Sequence, residues 1–195
     1  MKLISQTQVT VDGVMQGNGG ATREDERNGF RRGGWAMGVF DANTFAFITE
    51  TYRSAGAFLF GRKTYDVFAR SWGEVPEMRN HPIGVALNTK PKYVVSNTIN
   101  HPKWPGTTVL AGDVEARIRA LKAESGGELQ VHGSGALVRW LLERDLIDEM
   151  TLLVVPVILG QGTRLFADRG LDVALNLVGS RTDSRGHPAL PEHLK

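Results

Sequence analysis

Ala57-Phe58-Leu59-Phe60 is an uninterrupted apolar run that passes directly into Gly61-Arg62-Lys63-Thr64. Successive side chains of a strand point to opposite faces, so four apolar residues in a row need cover on both sides. A central strand of a mostly parallel sheet, with helices on each face, meets that need. The flanking segments agree. Residues 2–11 are rich in β-branched types (Ile4, Thr7, Val9, Thr10, Val11) and read as a first strand. Asp41 offers a helix N-cap, Phe40 and Phe45 can staple across it, and Phe45, Ile48, Tyr52 and Ala55 recur at helical spacing before Gly56. A short helix follows Gly61 and ends near Ala69. Residues 71–90, with Pro76 and Pro82, read as irregular.

Further along, residues 92–95 and 107–110 read as strands, and Asp113 caps a helix whose face is Val114, Ile118 and Leu121. A strand over 129–132 turns through Gly133-Ser134-Gly135 into a helix carrying Leu137, Trp140 and Leu141. Residues 150–157 form a long apolar strand and 175–180 a last one. Alternating strands and helices predict an α/β class, and no repeat or linker divides the chain. We therefore expect one domain over 1–181 and a flexible C-terminal tail over 182–195. In that tail two prolines and few apolar residues argue against another strand.

Several function classes drop out on simple grounds. With no cysteine, a thiol nucleophile, a disulfide and a zinc-thiolate site are all excluded. The five histidines are scattered without metal-ligand spacing, so no metal is expected. A formal net charge of +2, with Lys and Arg dispersed, does not suit a nucleic-acid binder. No run approaches the ~20 apolar residues that a membrane span requires. A reducing, cytoplasmic setting fits the lack of cysteine.

Ligands of open α/β sheets gather beyond the carboxyl ends of the strands, where helix N-termini present free N–H groups. Three strand ends here carry suitable residues. Gly61-Arg62-Lys63-Thr64 combines a glycine, two cations and a hydroxyl. Gly133-Ser134-Gly135 is a glycine-rich strand-to-helix turn, able to cradle phosphate or to be merely tight. Ser96-Asn97 closes a third strand and reads equally as turn chemistry. His132 is most simply a structural histidine at a strand end. Between Asp12 and Gly34 lies a glycine-rich loop of the length that usually serves function, and Trp35 behind it is the best-placed tryptophan to stack on a flat ligand.

These strand ends, in this order, resemble the dihydrofolate-reductase-like family, in particular the reductase half of the bacterial deaminase-reductase of riboflavin biosynthesis. The resemblance rests on Val11-Asp12-Gly13, Gly61-Arg62-Lys63-Thr64-Tyr65, Val94-Val95-Ser96-Asn97-Thr98, Val131-His132-Gly133-Ser134-Gly135 and the stretch from Pro156 to Phe166. It implies a three-layer fold with a central mostly parallel sheet flanked by helices. It also implies an NADPH-dependent oxidoreductase that passes hydride to a pyrimidine, a pterin or a related heterocycle, as a homodimer. Gly61, Arg62, Lys63, Thr64, Gly133, Ser134 and Gly135 would then hold cofactor phosphates, with Ser96 and Asn97 near the adenosine 2′-phosphate. The loop from Asp12 past Gly17 would close over the nicotinamide, and Gly17 and Trp35 would meet the substrate. Dihydrofolate reductase carries a carboxylate on its first helix, where an ungapped count places Phe45. Asp12, Asp41 or a water would supply the proton instead. A binding protein that has lost turnover is the alternative reading.

Overall fold

The computed structural model describes residues 1–166 and 172–182, and the backbone of 188–193. In chain order its elements are β1 (Leu3–Thr10), α1 (Arg23–Arg27), α2 (Ala42–Ser54), β2 (Ala55–Gly61), α3 (Arg62–Phe68), α4 (Pro76–Asn80) and α5 (Pro82–Thr89). They continue as β3 (Lys92–Val95), β4 (Thr107–Leu110), α6 (Val114–Ala123), β5 (Glu128–Val131), α7 (Gly135–Leu142) and β6 (Glu149–Val155). Short strands β7 (Asn176–Leu177), β8 (Arg181–Thr182) and β9 (Pro188–His193) end the chain. One sheet runs in the order β4-β3-β2-β5-β1-β6-β9-β7, with β8 also paired to β9. The six strands from β4 to β6 are parallel to their neighbours, and β9 joins β6 antiparallel.

The apolar run of β2 explains the three layers. Ala57 and Leu59 enter a core with Leu3, Leu129 and Val131 that α6 covers with Ile118 and Leu121, and α7 with Leu137, Val138 and Leu141. Phe58 and Phe60 point the other way, into a second core with Val94, Tyr52 of α2, Tyr65 of α3 and Ile83, Ala86 and Leu87 of α5. A third cluster of Val14, Phe30, Trp35, Ala36, Val155 and Leu159 lies under the glycine-rich loop. The α2 N-terminus forms as the sequence requires. Asp41 accepts from the Thr44 N–H at 2.8 Å, and the Phe40 and Phe45 rings meet edge to face at 5.7 Å.

Three expectations fail. Residues 71–90 are not irregular, because Pro76 and Pro82 each stand in the first turn of a helix. There the missing N–H costs nothing and the fixed φ suits the helix, so these prolines start helices. The final strand judged improbable is present as β9, paired with β6 from Glu149↔His193 to Leu153↔Ala189. Its outer edge is paired at its two ends, by β7 at Glu192 and His193 and by β8 at Pro188 and Ala189. Pro191 falls between those pairings, where a missing donor breaks no outer ladder bond. The expected strand over 175–180 shrinks to the two residues of β7.

Lys92 is buried at the start of β3, donating from Nζ to the carbonyls of Leu87 (2.8 Å) and Lys90 (2.9 Å) and lying 5.1 Å from the Trp104 ring centre. Desolvation lowers its pKa from 10.5 to about 8. The unfolded chain therefore holds this proton more tightly, and stability rises as pH climbs from 8 toward 10.5. Urea titrations between pH 7.5 and 9.5 are expected to show that slope, and Lys92→Met to flatten it. An unchanged slope in the variant would assign the effect elsewhere.

Candidate active site

The carboxyl ends of β2 and β5 meet where two glycines leave room. A Cβ built on Gly61 would run into the Ser134 hydroxyl and stand 3.5 Å from the Leu137 Cβ. One on Gly133 would stand 3.1 Å from Thr64 Oγ1, and Gly133 has φ +105°, which strains any other residue. Gly61 and Ser134 are the N-caps of α3 and α7, and neither helix receives a side-chain cap. By contrast Thr22, Asp41, His81 and Asp113 cap their helices with side-chain acceptors. Two helix N-termini thus meet without a side-chain cap on either, which suits a bound anion.

Arg62 bridges from this point to the end of β3. Its Nε donates to Asp66 at 2.7 Å and its terminal nitrogen to Thr98 Oγ1 at 2.9 Å. Ser96 Oγ accepts from the N–H groups of Thr98 and Ile99, both at 3.2 Å, so that hydroxyl shapes the turn. Asn97 is exposed beside it. Lys63 points outward and pairs with Glu24 of α1 at 3.3 Å. The structure therefore groups Gly61, Thr64, Gly133 and Ser134 closely, sets Arg62 against the 96–98 turn, and holds Lys63 toward the loop.

That loop is docked rather than open. Asp12 accepts from Thr10 Oγ1 (2.6 Å) and from the N–H groups of Leu159 (3.2 Å) and Gly160 (2.9 Å). Met15 N–H donates to Thr163, Gln16 Oε1 accepts from the Thr163 N–H at 2.8 Å, and Arg164 Nε reaches the Asp12 carbonyl at 2.8 Å. The stretch from Pro156 to Phe166 thus serves chiefly as the loop's floor. Hidden in the loop is α1, whose capping box joins Thr22 and Asp25. Gln16 Nε2 donates to the same Asp25 at 2.7 Å.

Four expected site residues are engaged in structural contacts. The Thr10 hydroxyl and the Gly160 N–H hold Asp12 down at a pKa of about 2. Through these bonds the Asp12 carboxylate latches the loop to the 159–160 turn. Trp35 is 9% exposed, packs in the loop's own cluster and donates its indole N–H to Gln16 O at 2.7 Å, leaving it no free face for stacking. Gly17 has φ +67°, and an added Cβ would lie 2.6 Å from the Phe30 ring, so it is a packing glycine. Asp41 is the α2 cap described above.

Beside the glycine turn lies a small, half-open cleft between α2 and the sheet. Gln6 and Gln8 of β1 and Thr151 and Leu153 of β6 form its floor; Phe47, Ile48, Thr51 and Tyr52 of α2 form one wall, and His132 stands at its end. Among the described residues no carboxylate or cation lines it, and the Arg181 guanidinium lies 3.4 Å from the ring centre of Phe47. Burial drives His132 down to about 3 and raises the Tyr52 phenol, so both are neutral at ordinary pH. The sequence reading passed over Gln6, Gln8 and Thr151. Their signal was polarity at central strand positions that pure packing would fill with apolar residues. Among the described residues no cluster of His, Asp or Glu could hold a metal, and no helix is long and apolar enough to cross a membrane.

A family model for the RibD C-terminal domain matches residues 1–187. YyaP of Bacillus subtilis, an uncharacterized protein, is 26% identical over 191 residues, covering 95% of this chain and 90% of that one. Among solved structures, a candidate riboflavin biosynthesis protein of Shewanella sp. PV-4 aligns with a TM-score of 0.75 at 22% identity, over 100% of this chain and 99% of that one. A dihydrofolate reductase of Enterococcus faecalis, complexed with NADP(H), aligns with a TM-score of 0.63 at 13% identity, over 100% and 96%. These two likenesses establish the dihydrofolate-reductase-like fold.

Proposed function

The chain belongs to the RibD C-terminal domain family, and from that premise we propose that it is an NADPH-dependent reductase acting on a pyrimidine, a pterin or a related heterocycle. One observation carries the reading: two helix N-termini without side-chain caps, at Gly61 and Ser134, open beside a cleft whose described lining is uncharged. NADPH, when bound, supplies the hydride. The N–H groups at the starts of α3 and α7 bind its phosphates, with Thr64 close to Gly133, and Arg62 offers charge near Asn97. Met15 packs over the turn, 3.6 Å from a Cβ position on Gly133, and helps to exclude water. Gln6, Thr151 and His132 orient the acceptor ring. With Asp12 held by the loop and no acid among the described residues of the cleft, the proton comes from solvent water.

Fluorescence titration tests this directly. NADPH is expected to bind in the micromolar range or tighter, NADH at least tenfold more weakly, and Arg62→Ala to lose about ten- to a hundredfold, as suits one charge-assisted contact. Absence of binding by either nucleotide would end the cofactor assignment. The lack of an acid among the described residues of the cleft favours a second reading, a nucleotide-binding protein without turnover. Oxidation of NADPH by a supplied pteridine would exclude it.

A further inference from the structure

Gln130 and His132 are neighbours on one face of β5, and their hydrogen bonds settle which ring nitrogen carries the proton. The buried Gln130 amide places Nε2 2.7 Å from the Thr51 carbonyl, 2.5 Å from Glu128 Oε2 and 3.2 Å from Ser54 Oγ. A carbonyl and a carboxylate only accept, so the amide nitrogen must face them. Gln130 Oε1 is thereby turned toward His132 Nε2, at 3.0 Å. An oxygen there requires a donor, and His132 is fixed as the Nε2–H tautomer with its lone pair on Nδ1. The ring cannot readily turn. It stacks on Tyr52 at 4.1 Å and 14°, and Phe58 lies 5.8 Å away on a tilted plane.

We propose that His132, a wall of the cleft, is a specificity-determining residue whose Nδ1 accepts an N–H from the substrate ring, selecting heterocycles with a lactam or imide edge. The proposal rests on the reductase reading for its substrate class, but its geometry stands without a nucleotide. Neutral imidazole is essential, because imidazolium would carry donors on both nitrogens. Burial of the ring favours the neutral form. Gln6 and Thr151, on the floor of the same cleft, add an amide and a hydroxyl to meet the ring's carbonyls. Such a site discriminates against an analogue that lacks the N–H, since the ring acceptor then goes unpaired.

Long-range proton–nitrogen NMR correlation on the whole, nucleotide-free protein reads the tautomer. The expected spectrum has Nε2 protonated and Nδ1 bare; the opposite tautomer or an imidazolium at neutral pH would overturn the proposal. The functional arm uses lumazine, a fluorescent pteridinedione, and its ring-N-methyl derivatives. The unmethylated ring is expected to bind wild type at least about tenfold more tightly than the derivative blocked at the contacting nitrogen. In His132→Phe, which keeps a stacked ring, that ratio is expected to fall below about threefold. In His132→Asn, which keeps an acceptor near the Nδ1 position, it is expected to recover. Equal binding of all derivatives by wild type, or no lumazine binding at all, would overturn the proposal whatever the nucleotide titration returns. Lumazine discrimination without NADPH binding would overturn the cofactor reading alone.

Discussion

Phe60→Ala is expected to destabilise the protein by about 3–5 kcal/mol, the range for deleting a buried aromatic side chain. For a chain of this size that lowers Tm by roughly 6–20 °C and removes a large part of a typical 5–15 kcal/mol stability. Phe60 is fully buried, and its ring packs against Phe58 (6.1 Å), Phe68 (5.5 Å) and Trp104 (6.0 Å). Those partners come from β2, α3 and the segment before β4, so the cavity would be shared by elements that relax poorly together. Phe60 also directly precedes Gly61, which makes the second core the support of the candidate nucleotide site. Val85→Ala is the control: the side chain is exposed on α5, and the change is expected to stay within about 0.5 kcal/mol. Thermal and urea denaturation of the two variants decide the point. A loss below about 1.5 kcal/mol for Phe60→Ala would mean that this core collapses around the gap and does not hold β2 rigidly.

That same strand shows why the fold was legible in the sequence. Four apolar residues in a row encode burial on both faces, and the structure sends Leu59 into one core and Phe60 into the other. The start of α2 was equally readable, because its cap and staple involve Phe40, Asp41, Thr44 and Phe45, all within six residues. Local interactions of this kind leave local patterns. Even the missed α1 left one, since Thr22 and Asp25 have capping-box spacing, obscured by the glycines around them. Pro76 and Pro82 misled for the opposite reason: the same residue breaks a helix interior and starts a helix, and only context separates the two.

The site was less legible because its residues acquire their chemistry from distant partners. Asp12 looks like a free acid beside a glycine, yet the N–H of Leu159, 147 residues later in the chain, helps to keep it ionised. His132 looks structural until the Gln130 amide, oriented by Thr51 of another element, fixes its tautomer. The Gly61 and Gly133 motifs could be found because glycine is demanded by the backbone itself. The family resemblance supplied their joint meaning, and the fold supplies their contact.

Gly61→Val is expected to weaken NADPH binding at least a hundredfold, and the reason can be separated from general damage. The first added carbon would already overlap the Ser134 hydroxyl, and the two further methyl groups would fill the gap between the ends of β2 and β5. Overpacking of this kind costs about 1–3 kcal/mol of stability, which leaves most of the protein folded. The pair Gly61→Ala and Ser134→Ala divides the two effects. Gly61→Ala alone meets the hydroxyl, whereas in the double variant the two Cβ atoms would stand about as far apart as the 3.3 Å separating the built Cβ from that of Ser134. Stability is therefore expected to return nearly to the Ser134→Ala level. Affinity is expected to remain depressed, because the new methyl still stands where phosphate oxygens must approach the N–H groups of α3 and α7. Titration calorimetry beside thermal melts reads both quantities on the same samples. If the double variant recovers stability and binds NADPH like wild type, the meeting of these strand ends is a packing feature only, and the cofactor phosphates must lie elsewhere.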